Sequence, residues 1–180
     1  MKKLIMAGVA VLAVGVAAPA FAEEDPVRIT GTPHNDTLIG TTSNDLIKGL
    51  AGHDRLVGLT GWDTLQGGRG NDVLEGRGGK DTIYGGQGND RLLGGADHDF
   101  LYGGPGNDEL RGGPGKNTFE PGAGRDLVFA GPDKDEIFAA SNDGPDTFFC
   151  GAGPDAVFYP GAPDPADTLY GCEVVYDSSN

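Results

Sequence analysis

The sequence predicts an all-β solenoid with two opposed sheets, and three features of a nine-residue repeat carry that prediction. Twelve nonapeptides follow one another without interruption over residues 31–138. Position one is Gly in the first ten, position six is Asp or Asn in all twelve, and position eight is apolar in all twelve. A period kept this strictly marks one structural unit that is copied along the chain.

Each unit divides into a turn and a short strand. The last three residues alternate outward, inward and outward as in a β-strand, so position eight points into the core. The first six residues carry the glycines, which suit positive φ and close backbone approach, so we expect them to form the turn. One unit reverses the chain once, and eighteen residues complete a coil. The predicted core column consists of Leu38, Ile47, Leu56, Leu65, Leu74, Ile83, Leu92, Leu101, Leu110, Phe119, Val128 and Ile137.

The position-six residues of such a solenoid stack along its two edges, one coil or about 4.8 Å apart. Odd-numbered units are expected to stack Asp36, Asp54, Asp72, Asp90, Asp108 and Asp126. Even-numbered units are expected to stack Asp45, Asp63, Asp81, Asp99, Asn117 and Asp135. Carboxylates this close repel one another unless a cation lies between them. Because only carboxylate and carbonyl oxygens are available, the pattern favours Ca²⁺ over Zn²⁺ and over the stricter octahedron of Mg²⁺.

The units resemble the RTX (haemolysin-type) calcium-binding nonapeptide, GGxGxDxUx. The resemblance is close over 31–138, loose over 141–170, and best in 67–75, 85–93 and 103–111. It implies a parallel β-roll in which the aspartates and carbonyls of the glycine turns hold Ca²⁺ between coils. Six turns on each edge leave five gaps, so the two edges accommodate at most about ten ions. The carbonyl ligands implied are those of Gly67, Gly70, Gly85, Gly88, Gly103 and Gly106.

Several units depart from this pattern. Units one and two lack glycine at positions two and four, which weakens their predicted sites. Asn117 keeps an oxygen but lacks the charge of an aspartate. Asp97 and Asp133 replace the glycine of position four and are candidate additional ligands. Weaker repeats follow residue 138, with position-six candidates Asp146 and Asp155.

The two ends of the chain have other expected roles. Lys2 and Lys3, an apolar run and a small-x-small site predict a Sec-type signal peptide over 1–22, cleaved after Ala22, and hence a secreted product. Residues 23–30 are predicted to form a linker with an edge strand, 139–176 degenerate repeats that cap the roll, and 177–180 a tail. Cys150 and Cys172 predict a disulfide in an oxidising setting, with two free thiols as the alternative.

Composition and motifs narrow the function. The formal charge of −14 argues against nucleic acid as a partner, and no segment after the leader is apolar enough to cross a membrane. No HExxH, GxSxG or Walker motif is present, so no catalytic residue is predicted. His34, His53 and His98 are interpreted as exposed turn residues.

The leading hypothesis is an extracellular protein that folds on binding Ca²⁺. One alternative is a calcium-stiffened adhesion or matrix module that binds cell-surface polysaccharide or protein, since Tyr84, Phe100 and Tyr102 form an outward stripe. A ladder that only stiffens the sheet is the interpretation we favour for this stripe. A further alternative is a secreted hydrolase with its activity in the C-terminal segment.

Overall fold

The chain coils through two parallel sheets, with one strand in each sheet per coil. The computed structural model describes residues 3–5, 11–12, 26–140 and 144–177, whose regular structure is all β-strand. The first, ten-stranded sheet contains β1 (Lys3–Ile5), β3 (Val27–Thr30), β5 (Asp45–Ala51), β7 (Thr64–Arg69), β9 (Thr82–Gln87), β11 (Phe100–Pro105), β13 (Thr118–Ala123), β15 (Glu136–Phe138), β17 (Ala156–Tyr159) and β19 (Val174–Asp177). The second, nine-stranded sheet contains β2 (Val11–Leu12), β4 (Thr37–Ile39), β6 (Arg55–Thr60), β8 (Val73–Gly78), β10 (Arg91–Ala96), β12 (Glu109–Arg111), β14 (Leu127–Gly131), β16 (Thr147–Gly151) and β18 (Thr168–Tyr170).

The register between neighbouring strands is eighteen residues throughout the regular array. Leu65 lies opposite Ile83 in the first sheet, and Leu92 lies opposite Leu110 in the second. One coil therefore consists of two nonapeptides, and odd and even turns lie on opposite edges. The predicted fold class, an all-β parallel β-roll of two sheets, is confirmed.

The core is the predicted column of position-eight side chains. All twelve are buried, with no more than 1% of their surface exposed. A strand with one inward side chain cannot bury it alone, so each coil depends on its neighbours above and below. Burial of one such side chain contributes about 1.5–3 kcal/mol, and the column makes this contribution from both sheets.

The turns are shorter than predicted. Eight strands, β5 to β11 and β13, continue through position three of the following unit, so the prediction that positions one to three belong to the turn is wrong there. Glycine at positions one and two lets neighbouring coils approach and pair, as Gly68 does with Gly86. Within residues 31–138, the strands stop before position one at the turns 31–36, 40–45 and 112–117.

The segment predicted as a cap continues both sheets. The register widens to twenty residues where Val128 lies opposite Phe148, and to twenty-one where Phe148 lies opposite Leu169. Cys150 and Cys172 form the predicted disulfide, with their Cα atoms 5.1 Å apart. The disulfide joins β16 to the residues that follow β18, so it links two adjacent coils.

The predicted leader falls largely outside the described residues, as do its cleavage site, residues 23–25 and 178–180 of the tail. The described parts of the leader are β1, which pairs with β3, and β2, which pairs with β4. Strand β3 therefore has neighbours on both sides in the full chain. Among the described residues there is no helix of the length and hydropathy needed to cross a bilayer.

Aromatic side chains form short stacks on the outer faces. The rings of Tyr84 and Tyr102 are parallel, with centroids 4.7 Å apart, whereas Phe100 lies under the ammonium group of Lys80. On the second sheet, Phe149 stacks between Phe129 and Tyr170. In each stack, the faces that meet are not available to a ligand.

Candidate metal centre

The position-six aspartates form two buried rows, one along each edge of the roll. Nine backbone N–H groups of the rows donate to Oδ1 of the aspartate one coil later, at 2.7–2.9 Å, and the N–H of Asp99 donates to Asn117 Oδ1 at 3.1 Å. The register of the sheets produces this contact, because it places every position six directly over the next. The rows continue past the regular array, since Asp126 donates to Asp146, and Asp135 to Asp155.

The second carboxylate oxygen, Oδ2, has no hydrogen-bond partner in most of these residues. It is fully buried and unpaired in Asp54, Asp63, Asp72, Asp81, Asp90, Asp99, Asp108, Asp135 and Asp155. A buried polar atom without a partner costs about 1–3 kcal/mol, and a charged one costs more. A ligand of positive charge would satisfy these nine oxygens.

Backbone carbonyl oxygens face the same space. A Cβ added to Gly67 would lie 2.4 Å from Asp72 Oδ2 and 2.6 Å from Gly85 O. One coil further, a Cβ on Gly85 would lie 2.5 Å from Asp90 Oδ2 and 2.7 Å from Gly103 O. The glycine of position one therefore leaves room for two oxygens of adjacent coils to approach the same point. An oxygen-only set of this kind fits a hard cation such as Ca²⁺.

Burial raises the pKa of these carboxyl groups. It raises the pKa of Asp63, Asp81 and Asp108 to about 7, opposed by the backbone N–H that each accepts and reinforced by the charges of neighbouring aspartates. The same cause raises the pKa of Asp54 and Asp90 to about 6. The pKa values of Asp99 and Asp135 rise to about 7, and those of Asp45, Asp72 and Asp155 also rise. Near neutral pH the rows therefore favour binding of either protons or cations.

The glycines of position four hold the turns close together. Gly70, Gly88 and Gly106 have φ values of 123°, 126° and 154°, where other residues are strained. A Cβ on Gly88 would lie 2.0 Å from Gly70 O. The carbonyls of this position thus follow the edge of the roll, beside the aspartate row.

The first two turns differ from the others, because their own chain satisfies the carboxylate. The N–H of Thr32 donates to Asp36 Oδ2 at 2.6 Å, and its hydroxyl donates to the same oxygen at 2.9 Å. Thr41 donates to Asp45 Oδ2 in the same two ways, at 2.6 and 3.2 Å. These donors occupy the lone pairs that remain open in the later turns.

The additional ligand candidates of position four lie outside the rows. Asp97 adopts a φ of 79° and is exposed. Asp133 is exposed as well, and its Oδ2 accepts the N–H of Gly115 at 2.8 Å. The structure thus separates both carboxylates from the buried aspartates. In contrast, Asp146 and Asp155 extend the two rows.

Position five provides a second ladder that the sequence reasoning missed. On the odd edge, the side chains of Asn35, His53, Asn71, Asn89 and Asn107 each accept an N–H from the next coil. These bonds run opposite to those of the aspartate row. The signal was the frequent Asn at position five, as in GQGND and GPGND. His53 and His98 are exposed turn residues, as predicted, and each accepts an N–H through Nδ1.

No group of three or more His, Cys, Asp or Glu side chains within the described residues converges on one point. An ion in the rows would therefore need backbone carbonyls to complete its ligands.

A family model described as the RTX calcium-binding nonapeptide repeat matches residues 30–61, 57–92, 84–119, 93–128 and 111–144. Together these matches cover more than half of the chain. No curated protein matches the chain.

Proposed function

The chain belongs to the RTX calcium-binding nonapeptide repeat family, and from that premise we propose that it is a secreted calcium-binding protein whose roll becomes stable when Ca²⁺ enters the stacked turns. The observation that carries the proposal is the row of buried, unpaired Oδ2 atoms, several of which share their space with a backbone carbonyl of the next coil, as Asp72 Oδ2 does with Gly85 O. A cation at these points would complete the coordination of oxygens that otherwise repel one another.

The proposed ligands are the position-six aspartates together with glycine carbonyls of positions one and four. Ca²⁺ accepts six to eight oxygen ligands in flexible geometry, which suits a mixed set of carboxylates and carbonyls. Asp36 and Asp45 contribute least, because Thr32 and Thr41 already donate to them. The number of ions is therefore below the limit of about ten that the gaps of the array allow.

The cation would act on folding as well as on charge. Twelve short strands must be ordered at a cost of about 1–2 kcal/mol of backbone entropy per residue. Repulsion within a chain of formal charge −14 opposes compaction further. Since ions that bind only the folded state stabilise it by mass action, calcium would shift the equilibrium toward the roll.

Export is the part of the proposal that rests on the sequence. A leader over 1–22, cleaved after Ala22, would deliver the chain to a compartment where calcium is abundant. Extracellular calcium modules bind with a Kd of about 10⁻⁴–10⁻³ M, so the chain would fold after export rather than before. The disulfide between Cys150 and Cys172 is consistent with such a compartment.

A calcium titration tests this function directly. Far-UV circular dichroism at pH 7.5 should change from a largely unfolded spectrum in chelator to a β-spectrum in millimolar calcium, with several ions bound in equilibrium dialysis. Magnesium at the same concentration is the control and should produce little change. Identical spectra with chelator and with calcium, together with no bound ion, would show the proposal to be wrong.

One observation favours a second candidate, an adhesion or matrix module. An open groove of about 620 Å³ runs along the first sheet beside Tyr84 and Tyr102, with Leu50 at one end. Leu50 is 46% exposed. Binding of the calcium-loaded protein to cell-surface polysaccharide, and its loss in Tyr84→Ala, would support this candidate; unchanged binding in that variant would count against the groove.

A further inference from the structure

The turn 112–117 has Asn117 at position six. Its side chain carries a hydrogen-bond donor, Nδ2, where an aspartate carries a second acceptor oxygen. Its Oδ1 accepts the N–H of Asp99 at 3.1 Å, which preserves the bond between coils. Its Nδ2 donates to Gly113 O at 3.0 Å and to Gly115 O at 3.1 Å. The orientation of the amide is determined by these contacts, because a flipped amide would set Nδ2 against the N–H of Asp99.

The amide nitrogen occupies the place that Oδ2 takes in the other turns. A Cβ added to Gly112 would lie 2.5 Å from Asn117 Nδ2 and 2.5 Å from Ala130 O. In the turn 94–99, the corresponding point lies 2.4 Å from Asp99 Oδ2 and 2.9 Å from Gly112 O. The same space thus receives a hydrogen-bond donor in one turn and an unpaired acceptor in the other.

We propose that Asn117 closes the turn 112–117 without a metal ion, its amide donating to two carbonyls of the same turn, of which that of Gly115 lies at position four, a proposed ligand position in the other turns. This inference rests on the proposed calcium function, which assigns ions to the equivalent turns. We call the contacts of Asn117 Nδ2 with Gly113 O and Gly115 O the amide lock. The lock removes one ion from the even edge but leaves the site of Asp99 intact.

The turn is also tied to the coils on both sides of it. The N–H of Lys116 donates to His98 Nδ1 at 2.7 Å in the preceding coil. In the following coil, Gly115 N–H donates to Asp133 Oδ2, and Asn117 N–H donates to Asp135 Oδ1 at 2.7 Å. Three coils are therefore joined at this point by bonds that need no ion. The lock provides a connection that persists when calcium is scarce.

The lock is consistent with the local backbone. Strand β12 ends at Arg111, whereas the strands before the neighbouring turns 103–108 and 121–126 continue through position three. The carbonyl of Gly113 accepts from the Asn117 amide, while the N–H of Gly113 still donates to Ala130 O at 3.2 Å in the next coil. The local break in the strand thus accompanies the amide contact.

Two variants of the full-length mature chain test the proposal, with ions counted by equilibrium dialysis in calcium. Asn117→Asp replaces the donor by an oxygen and should bind one more ion per chain than the wild type. Asn107→Asp is the matched control, because it adds the same charge at an exposed position outside the row, and its ion count should not change. An unchanged count in Asn117→Asp, or an equal gain in both variants, would overturn the proposal.

Side-chain amide exchange provides a readout that does not depend on counting ions. In the wild type, the Asn117 NH₂ protons should exchange with solvent at least tenfold more slowly than those of Asn107, measured by NMR in the same sample. Equal exchange rates in a wild type that binds calcium would overturn the lock and leave the proposed function standing. Slow exchange in a wild type that binds no calcium would support the lock and contradict the proposed function.

Discussion

The turns 31–36 and 40–45 and the turns that follow them carry the same aspartate at position six, yet they satisfy it in different ways. In the first two turns, threonine at position two donates to the carboxylate. From 49–54 onward, position two has positive φ in every turn of the regular array, and in most of these turns Oδ2 has no partner. Among the turns with aspartate at position six, the residue at position two thus decides whether the chain itself satisfies Oδ2 or leaves it open to the proposed cation.

The physical reason lies in the backbone. A β-branched residue disfavours positive φ, and neither Thr32 nor Thr41 adopts it. Their N–H groups remain directed at the carboxylate instead. Leu50, Leu59 and Arg77 show that the conformation of the later turns is imposed even on residues other than glycine, with φ of 90°, 93° and 82°.

The largest expected effect that follows from this difference is folding in acid without calcium. Burial raises the folded-state pKa of Asp63, Asp81 and Asp108 from 3.8 to about 7, so the folded roll binds protons more tightly than the unfolded chain does. The calcium-free fold is therefore most stable below about pH 4 and loses stability as the pH rises through 6 to 7. Far-UV circular dichroism of calcium-depleted protein from pH 4 to 8 should show β-structure at the acid end only.

One result would contradict the prediction that the calcium-free chain folds in acid. If calcium-depleted protein had the same spectrum at pH 5 and pH 8, protonation of the later turns would not substitute for a cation. The unpaired Oδ2 atoms would then not be what limits the fold. Calcium-loaded protein measured over the same range is the control, and its spectrum should remain nearly constant above pH 6.

The sequence predicted the architecture well because the repeat imposes it. Period, core column and the stacking of position six follow from an alternating strand and an eighteen-residue coil, as Leu65 opposite Ile83 demonstrates. Strand length was predicted wrongly, because glycine suggested only turns, whereas Gly68 pairs within the ladder. The two modes of satisfying aspartate were not predicted either. They depend on which atoms of Thr32 or Asn117 reach a partner, and spacing alone does not contain that information.

A variant without the disulfide tests whether the stability of the array depends on its first two turns or on its C-terminal coils. Cys150 and Cys172 close a loop with a sequence separation of 22, which stabilises the folded state by about 3 kcal/mol through restriction of the unfolded chain. A Cys150→Ser, Cys172→Ser double variant should lose about this much in urea unfolding at saturating calcium, while its ion count in the regular array remains unchanged. A loss of most bound ions would mean that the C-terminal coils, rather than the threonine turns, secure the array.

Alanine substitutions in the two regions should differ in calcium dependence. Asp90→Ala removes an unpaired Oδ2 and the acceptor for Asp72 N–H, so it should lower the free energy of unfolding by about 1–3 kcal/mol at fixed calcium. Asp36→Ala lies at the end of the row and should cost less than about 1 kcal/mol. Calcium titrations of the two variants under one set of conditions provide the measurement. Equal shifts of the calcium midpoint would contradict the distinction between the two kinds of turn.

The smallest effect tests the threonine hydroxyl itself. Thr41→Val keeps the shape, the β-branch and the N–H that donates to Asp45, but it removes the hydroxyl that donates to both carboxylate oxygens at 3.2 Å. Thr41 is buried, so the loss should be about 1 kcal/mol. Thr41→Ser keeps the hydroxyl and is the matched control, with stability close to that of the wild type. Urea unfolding at saturating calcium measures both variants. If the valine variant were as stable as the serine variant, the N–H alone would satisfy Asp45. The backbone conformation of position two, rather than its hydroxyl, would then separate these turns from those in which Oδ2 is unpaired.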